Sequence, residues 1–183
     1  MKEDFSIFLM KSCALFLLPV FFFLFAASEK NSLSAEDSFS VEIVNAHNKY
    51  RNDLGLPGLT WSPELAAHAR KWSDHLASMG GRKIMHAPAS ERGSEGENIW
   101  WGSAGYYSLT QMVDGWGAEK KYFVYGTFPG VSSTGNWADV GHYTQIIWKT
   151  TTFVGCGRST AGGYDIFVCR YSPPGNFMGM KPY

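Results

Sequence analysis

The sequence predicts an α+β domain with antiparallel strands. Apolar side chains recur at helical spacing in three segments between Phe39 and Tyr122. Near the C-terminus, two β-prone runs flank a Gly-Gly turn signal, which is typical of a hairpin. Helices that mix with one short hairpin favour the α+β class.

Composition narrows the function classes. The chain has 183 residues, of which 45% are hydrophobic and 17% charged, so it is long and apolar enough for one globular domain. Its formal net charge is zero. A neutral chain gives no electrostatic reason to expect nucleic acid as a partner, and we expect none.

The N-terminal residues have the features of a targeting segment. An uncharged run of about 16 residues, Ser12 to Ala27, follows Lys11 and ends in the small residues Ala26, Ala27 and Ser28. This run is shorter than the ~20 residues that a membrane-spanning helix needs. Residues 1–28 are therefore predicted to be a removable signal peptide and the protein to be secreted. A retained N-terminal membrane anchor is the alternative.

The rest divides into a short polar tail, residues 29–38, and one domain, residues 39–183. The first helix of the domain is predicted to end near Gly55. Ser62 and Pro63 form a start signal for a second helix, which Gly80-Gly81 should end.

A third helix is predicted from Leu109 toward Tyr122. Glycine-rich residues 93–105 precede it, and residues 124–140 are expected to form a loop. The apolar segment Tyr143 to Trp148 then leads to the hairpin.

The predicted hairpin joins Thr151–Arg158 to Asp165–Tyr171. With Gly162-Gly163 at its tip, Cys156 faces Cys169 across the two strands. These are the two cysteines that remain after removal of the signal, and an even pair in an exported chain predicts a disulfide. Two buried free thiols are the alternative.

Five motifs carry a family resemblance. Gly141–Trp148 and Phe167–Phe177 match the two signatures of the CAP superfamily (cysteine-rich secretory proteins, antigen 5 and pathogenesis-related proteins). His47–Arg51, Leu59–Ser62 and Gly96–Ile99 resemble further family motifs in the same order. The resemblance covers about residues 39–183 and is to members of the pathogenesis-related type, as found in plants and fungi.

This resemblance implies a three-layer α-β-α sandwich with a small central antiparallel sheet, in an extracellular setting. It also implies a cleft with two histidines and two acidic residues, which are His86, Glu97, Glu119 and His142 in this chain. Imidazole and carboxylate groups suit zinc or a similar divalent metal. Zinc would bind through the two histidines. The alternative is a hydrogen-bonded polar cluster that orders the cleft.

Binding is favoured over catalysis. No Gly-x-Ser-x-Gly elbow occurs, and a cleft without an activated nucleophile does not specify a hydrolase. A zinc-dependent hydrolase or protease, with Glu97 or Glu119 as the base, is the alternative. The remaining histidines, His47, His68 and His75, are predicted to lie at the surface or at the edge of the core.

A segment rich in aromatic residues indicates which class of ligand the protein binds. Tyr122, Phe123, Tyr125 and Phe128 lie within seven residues, just before Pro129-Gly130. The matching loop of the family is linked to sterol and lipid binding. We therefore expect a defence- or virulence-type module that binds sterol, another lipid or an extracellular protein, unless the aromatic rings pack beneath the loop.

Residues 173–183 allow a third interpretation. They resemble the peptide that plant pathogenesis-related members release from their C-terminus, so the chain would be the precursor of a signalling peptide. Plant members carry Asn where this chain has Arg170, which makes recognition by the same protease doubtful. The alternative is a tail packed on the domain.

Overall fold

The computed structural model describes residues 36–183. The predicted signal peptide, residues 1–28, lies outside this range, as do residues 29–35 of the predicted polar tail. Residues 36–38 of that tail are helical. Phe39–Tyr183 form one compact unit.

Helices and strands follow one another without a regular repeat. No helix within residues 36–183 is long and apolar enough to cross a membrane. In chain order the elements are α1 (36–52), β1 (Thr60–Trp61), α2 (Pro63–Ser78), α3 (Ala89–Arg92), β2 (Gly96–Ser103), α4 (Leu109–Gly117), α5 (Gly141–Ile146), β3 (Phe153–Ala161) and β4 (Tyr164–Ser172). Two 3₁₀ turns, Ala118–Tyr122 and Trp137–Asp139, stand between α4 and α5.

The three predicted helices are present, but the third is α-helical only to Gly117 and continues to Tyr122 as a 3₁₀ turn. The signals that start the second and third helices act as expected. The Ser62 hydroxyl accepts a hydrogen bond from the Leu65 amide at 3.2 Å and caps α2. Ser108 and Gln111 cap α4 reciprocally. Strand β2 and the short helix α3 were not predicted, and α5 begins two residues before the apolar segment at Tyr143.

The sheet has four strands in the order β1-β3-β4-β2. The β3–β4 hairpin has the predicted register, and Cys156 lies opposite Cys169 and is bonded to it. Strand β2 pairs antiparallel with β4, so that Glu97 faces Arg170. The short strand β1 runs parallel to β3, which differs from the antiparallel expectation for the whole sheet.

Strand β4 lies in the interior of the sheet and is covered on both faces. Phe167, Cys169 and Tyr171 face a core that includes side chains of α1, α4 and α5. Ile166 and Val168 face a second core with Ala69, Trp72 and Leu76 of α2. Because alternate residues of a strand point to opposite faces, the sheet separates two helical layers.

Glycines in β3 set how closely α2 lies on the sheet. A Cβ atom on Gly157 would collide with the Arg70 backbone, and one on Gly155 would collide with the Ala66 amide. The helix therefore packs directly on the strand backbone at these positions.

Arg51 holds the opposite layer together. Its buried guanidinium donates to the carbonyl oxygens of Pro57, Ile146, Trp148 and Thr151 at 2.7–3.0 Å. The guanidinium thus joins the end of α1 to the segment that links α5 with β3.

Candidate functional site

His86 and Glu97 form the first of two imidazole–carboxylate pairs. His86 precedes α3, and its Nδ1 lies 2.6 Å from Oε1 of Glu97 in β2. The same oxygen accepts a hydrogen bond from the Ala87 amide at 3.0 Å. The Glu97 side chain is fully buried, whereas that of His86 is 60% exposed. The buried carboxylate therefore orients an imidazole that faces solvent.

Arg170 supplies the charge beside Glu97. Its Nε lies 3.0 Å from Oε2 of Glu97, and its side chain is buried. Neither Nε of Arg170 nor Oε2 of Glu97 forms a hydrogen bond, so the contact between them is an ion pair without hydrogen-bond geometry. Buried carboxylates require such a partner because desolvation penalises the ionised form.

His142 and Glu119 form the second pair. Glu119 lies in the 3₁₀ turn after α4, and its Oε1 is 2.6 Å from Nδ1 of His142 in α5. Its Oε2 accepts hydrogen bonds from the backbone amides of His142 and Tyr143, each at 3.0 Å. The Trp116 ring stacks on the imidazole with a centroid separation of 6.0 Å. Here backbone amides and an aromatic ring hold the pair.

A buried network reaches both pairs through Asn98, the neighbour of Glu97 in β2. Asn98 Nδ2 donates to the His142 carbonyl oxygen and to the Tyr171 hydroxyl, both at 3.1 Å. Tyr171 in turn donates to Nε2 of His47 at 2.9 Å. The backbone at His142 is thus tied to β2 and to β4.

His47 is a core residue, which corrects its predicted place at the surface or the core edge. It is fully buried, and its Nδ1 donates to the Ile43 carbonyl oxygen at 2.8 Å. That donation fixes the tautomer and leaves Nε2 to accept from Tyr171. Its position in a predicted helix did not indicate that its side chain would be buried.

The two pairs define what the site can do chemically. Each Nδ1 is engaged by a carboxylate, so a proton on Nδ1 leaves the lone pair of Nε2 free. Metal-binding histidines commonly have this arrangement. Within residues 36–183, however, no group of three or more His, Cys, Asp or Glu side chains is placed to hold a metal ion. The four residues thus offer imidazole ligands, with the carboxylates behind them.

A third pair was not foreseen. Nδ1 of His68 lies 2.7 Å from Oε1 of Glu95, and Oε2 of Glu95 accepts a hydrogen bond from Nη1 of Arg170 at 3.1 Å. A small cavity of about 130 Å³ adjoins it, lined by His68, Lys71, Trp72, Glu91 and Arg170. The spacing of Glu95 and Glu97 around Gly96 was the available sequence signal.

The side chains of the aromatic segment differ in their exposure to solvent. Tyr122 and Tyr125 are exposed, and Phe123 is half-buried. Phe128 is buried with Val131, Val140 and Trp148, so it belongs to the core rather than to a ligand surface.

The C-terminal tail is packed beside this segment. The Phe128 amide donates to the Met180 carbonyl at 2.8 Å, and the Gly179 amide donates back to the Phe128 carbonyl at 2.9 Å. The Tyr125 hydroxyl donates to the Tyr183 carbonyl at 2.6 Å. Residues 173–183 are therefore an integral part of this face of the domain.

A family model described as the cysteine-rich secretory protein family, CAP, matches residues 44–171. The chain belongs to the CAP family. It is 33% identical to pathogenesis-related protein 1C of Nicotiana tabacum over 180 residues, which are 97% of this chain and 94% of the tobacco protein. It is 37% identical to the Golgi-associated plant pathogenesis-related protein 1 of Homo sapiens over 146 residues, which are 78% of this chain and 88% of the human protein.

The fold also matches solved CAP structures. The structure of NaASP2 with Zn²⁺ has a TM-score of 0.68 at 22% identity, and the match covers 79% of this chain and 84% of that chain. At this identity the likeness concerns the fold, an α-β-α sandwich. The predictions of fold class and family are confirmed, and the protein carries a CAP domain of the defence-related, pathogenesis-related type.

We expect His47 to make stability depend on pH. Burial lowers the pKa of His47 from 6.5 to about 4. The folded state therefore binds fewer protons than the unfolded state between these values. The stability that depends on neutral His47 is fully present above pH 6.5 and falls by about 3 kcal/mol as the pH approaches 4.

Urea unfolding of the wild type and of His47→Gln at pH 7, 5.5 and 4 measures this contribution. The difference between the two proteins in the free energy of unfolding should become smaller as the pH falls. His75→Gln, which changes an exposed histidine, should follow the wild type throughout. A gap that stays constant across the range would contradict the role of His47.

Proposed function

We propose that this CAP protein is a secreted, non-enzymatic module that binds sterol or another lipid. The observation that carries the proposal is a set of exposed apolar side chains on the aromatic segment and the tail, which we call the loop–tail surface. Its members are Tyr122, Val124, Tyr125, Phe177, Met178 and Met180. Secretion is supported by the predicted signal peptide, by the secretory description of the family and by the disulfide.

Contacts between the two segments hold the aromatic segment and the tail side by side. Backbone hydrogen bonds join Phe128 to Gly179 and Met180, and the rings of Tyr125 and Tyr183 lie 4.9 Å apart. Tyrosine and methionine give large, adaptable apolar contact areas. Exposed apolar groups concentrated in this way are typical of an interaction site rather than of ordinary surface.

Two lysines border the apolar groups. Nζ of Lys121 lies 4.8 Å from the ring centroid of Tyr122, and Nζ of Lys181 lies 5.0 Å from that of Tyr125. The loop from residue 121 to residue 138 contains no Asp or Glu. A lipid could therefore place its apolar body against the rings and its polar end beside an ammonium group.

The double variant Tyr125→Ala/Met178→Ser tests the surface. We expect it to bind a fluorescent sterol at least tenfold more weakly than the wild type, because one side chain is removed from each segment. Titration of the mature protein with the sterol, followed by fluorescence, measures the affinity. Phe128 is left unchanged, because loss of this buried ring would disturb the core.

Tyr106→Ala is the matched control. Tyr106 is 76% exposed and lies between β2 and α4, outside the loop–tail surface. This variant should bind like the wild type. The absence of saturable binding by the wild type, or an equal loss in both variants, would reject the proposal and leave an extracellular protein as the partner to test.

We further propose that the cleft binds zinc through Nε2 of His86 and Nε2 of His142. The supporting observation is that a carboxylate engages Nδ1 of each imidazole. Glu97 and Glu119 would orient the ligands rather than bind the metal, because their oxygens already accept hydrogen bonds or face Arg170. Zinc would supply Lewis-acid chemistry when bound.

Calorimetric titration with zinc tests the cleft. His86→Ala/His142→Ala should abolish binding, and Glu97→Gln should weaken it about 10–100-fold, because the imidazole loses its orienting partner. His68→Ala is the control, since His68 has the same local pairing with a different carboxylate. Equal affinity in the wild type and the double-histidine variant would end the metal proposal. Digestion of a peptide library by the zinc-loaded protein should show no turnover.

A further inference from the structure

A small cavity, which we call the α2–α3 pocket, lies between α2, the short helix α3 and β4. Its volume of about 130 Å³ equals the liquid volume of roughly four water molecules, so it can hold one small molecule. None of the four predicted cleft residues lines it. The lining residues are His68, Lys71, Trp72, Glu91 and Arg170.

The buried guanidinium of Arg170 has one nitrogen without a protein partner. The side chain is 2% exposed, its Nε lies 3.0 Å from Glu97, and its Nη1 donates to Glu95 at 3.1 Å. Nη2 forms no hydrogen bond or ion pair with any residue that the structure describes. It is not one of the fully buried unpartnered atoms, so solvent reaches it. Because Arg170 lines the pocket, Nη2 is the guanidinium atom that can donate to a ligand there.

Two further charged groups of the pocket are unpaired. Lys71 of α2 and Glu91 of α3 are exposed, and within the described part of the chain neither side chain forms an ion pair or a hydrogen bond. The pocket therefore presents donors from Arg170 and Lys71 and an acceptor from Glu91, beside the indole ring of Trp72.

We propose that the α2–α3 pocket binds a small zwitterion, namely a free α-amino acid such as glycine. The ligand carboxylate accepts hydrogen bonds from Nη2 of Arg170 and Nζ of Lys71. The ligand ammonium group faces the carboxylate of Glu91 and the ring of Trp72. This binding function is independent of the lipid and zinc functions proposed above.

The charges around the pocket favour a zwitterion over a simple anion. Arg170 already faces the carboxylates of Glu95 and Glu97, and Glu91 adds another negative charge. An anion such as phosphate would gain the donors of Nη2 but would be repelled by these carboxylates. A zwitterion has no net charge, and it supplies a partner of the right sign for each unpaired group.

Contacts within the protein hold two walls of the pocket in place. Nδ1 of His68 lies 2.7 Å from Oε1 of Glu95. Nε1 of Trp72 donates to the Met85 carbonyl oxygen at 3.0 Å, and the His75 ring stacks on the indole at a centroid separation of 4.6 Å. Binding therefore does not have to order these side chains, which lowers its entropic cost.

Titration of the folded protein with glycine, followed by the indole ¹H–¹⁵N NMR signal of Trp72, tests the proposal. We expect a saturable shift of this signal. Acetate and methylamine each carry only one of the two charges of glycine. They should bind at least about tenfold more weakly, because each leaves a charged group of the pocket unpaired.

Two surface variants separate the roles of the charged groups. Glu91→Gln should bind glycine about tenfold more weakly without losing affinity for acetate, because only the partner of the ammonium group is removed. Lys71→Gln should weaken the binding of both ligands. Glu64→Gln and Lys83→Gln change exposed residues that do not line the pocket, so these matched controls should behave like the wild type.

The absence of a saturable shift with glycine would overturn the proposal, as would equal affinities for glycine and acetate or equal losses in the control variants. Tighter binding of inorganic phosphate than of glycine would overturn it in favour of an anion site. His86→Ala/His142→Ala and Tyr125→Ala/Met178→Ser should bind glycine like the wild type. Failure of the zinc or lipid proposal is therefore distinguishable from failure of this one.

Discussion

Burial of β4 on both faces is the constraint on which the rest of the structure depends. A strand without a solvent-facing side must satisfy every polar group that it carries. Three consecutive residues meet this requirement in different ways. Cys169 is bonded to Cys156, Arg170 faces Glu97 and Glu95, and Tyr171 joins His47 to Asn98. The same contacts that satisfy these buried groups also hold Glu97 and Asn98 of β2 in place.

The fold uses two physical arrangements to keep a carboxylate against an imidazole. Glu97 is fully buried and is balanced by a guanidinium, whereas Glu119 is partly exposed and receives backbone amides. Both leave Nδ1 of a histidine engaged. The two histidines thus have similar local geometry although their carboxylates are held in place by different groups.

Local signals in the sequence predicted much of the fold. Ser62 and Pro63 started α2, and the Gly162-Gly163 turn fixed the register that pairs the cysteines. Strand β2 was missed because its glycines and tryptophans show no alternation, and its place depends on pairing with a strand about 70 residues away. The four cleft residues were named from family motifs alone. The buried contacts of Arg170, His47 and Glu95 could not be predicted, since their partners come together only in the folded chain.

The loop–tail surface also depends on tertiary contacts that the sequence alone does not reveal. Sequence composition marked Tyr122, Phe123, Tyr125 and Phe128 as one aromatic group, but packing placed Phe128 in the core and brought Met178 and Met180 to the surface instead. The spacing of apolar residues does not predict which of these side chains are buried, because neither segment is a regular helix or strand. Tertiary contacts decide which aromatic residues remain available to a ligand.

The zinc proposal requires that His86 and His142 each carry a proton on Nδ1 and keep Nε2 free. Neutron diffraction from crystals of the metal-free protein at neutral pH locates the deuterons directly. We expect a deuteron on Nδ1 of both imidazoles, facing Glu97 and Glu119. A deuteron on Nε2 of either histidine in place of Nδ1 would contradict the zinc proposal.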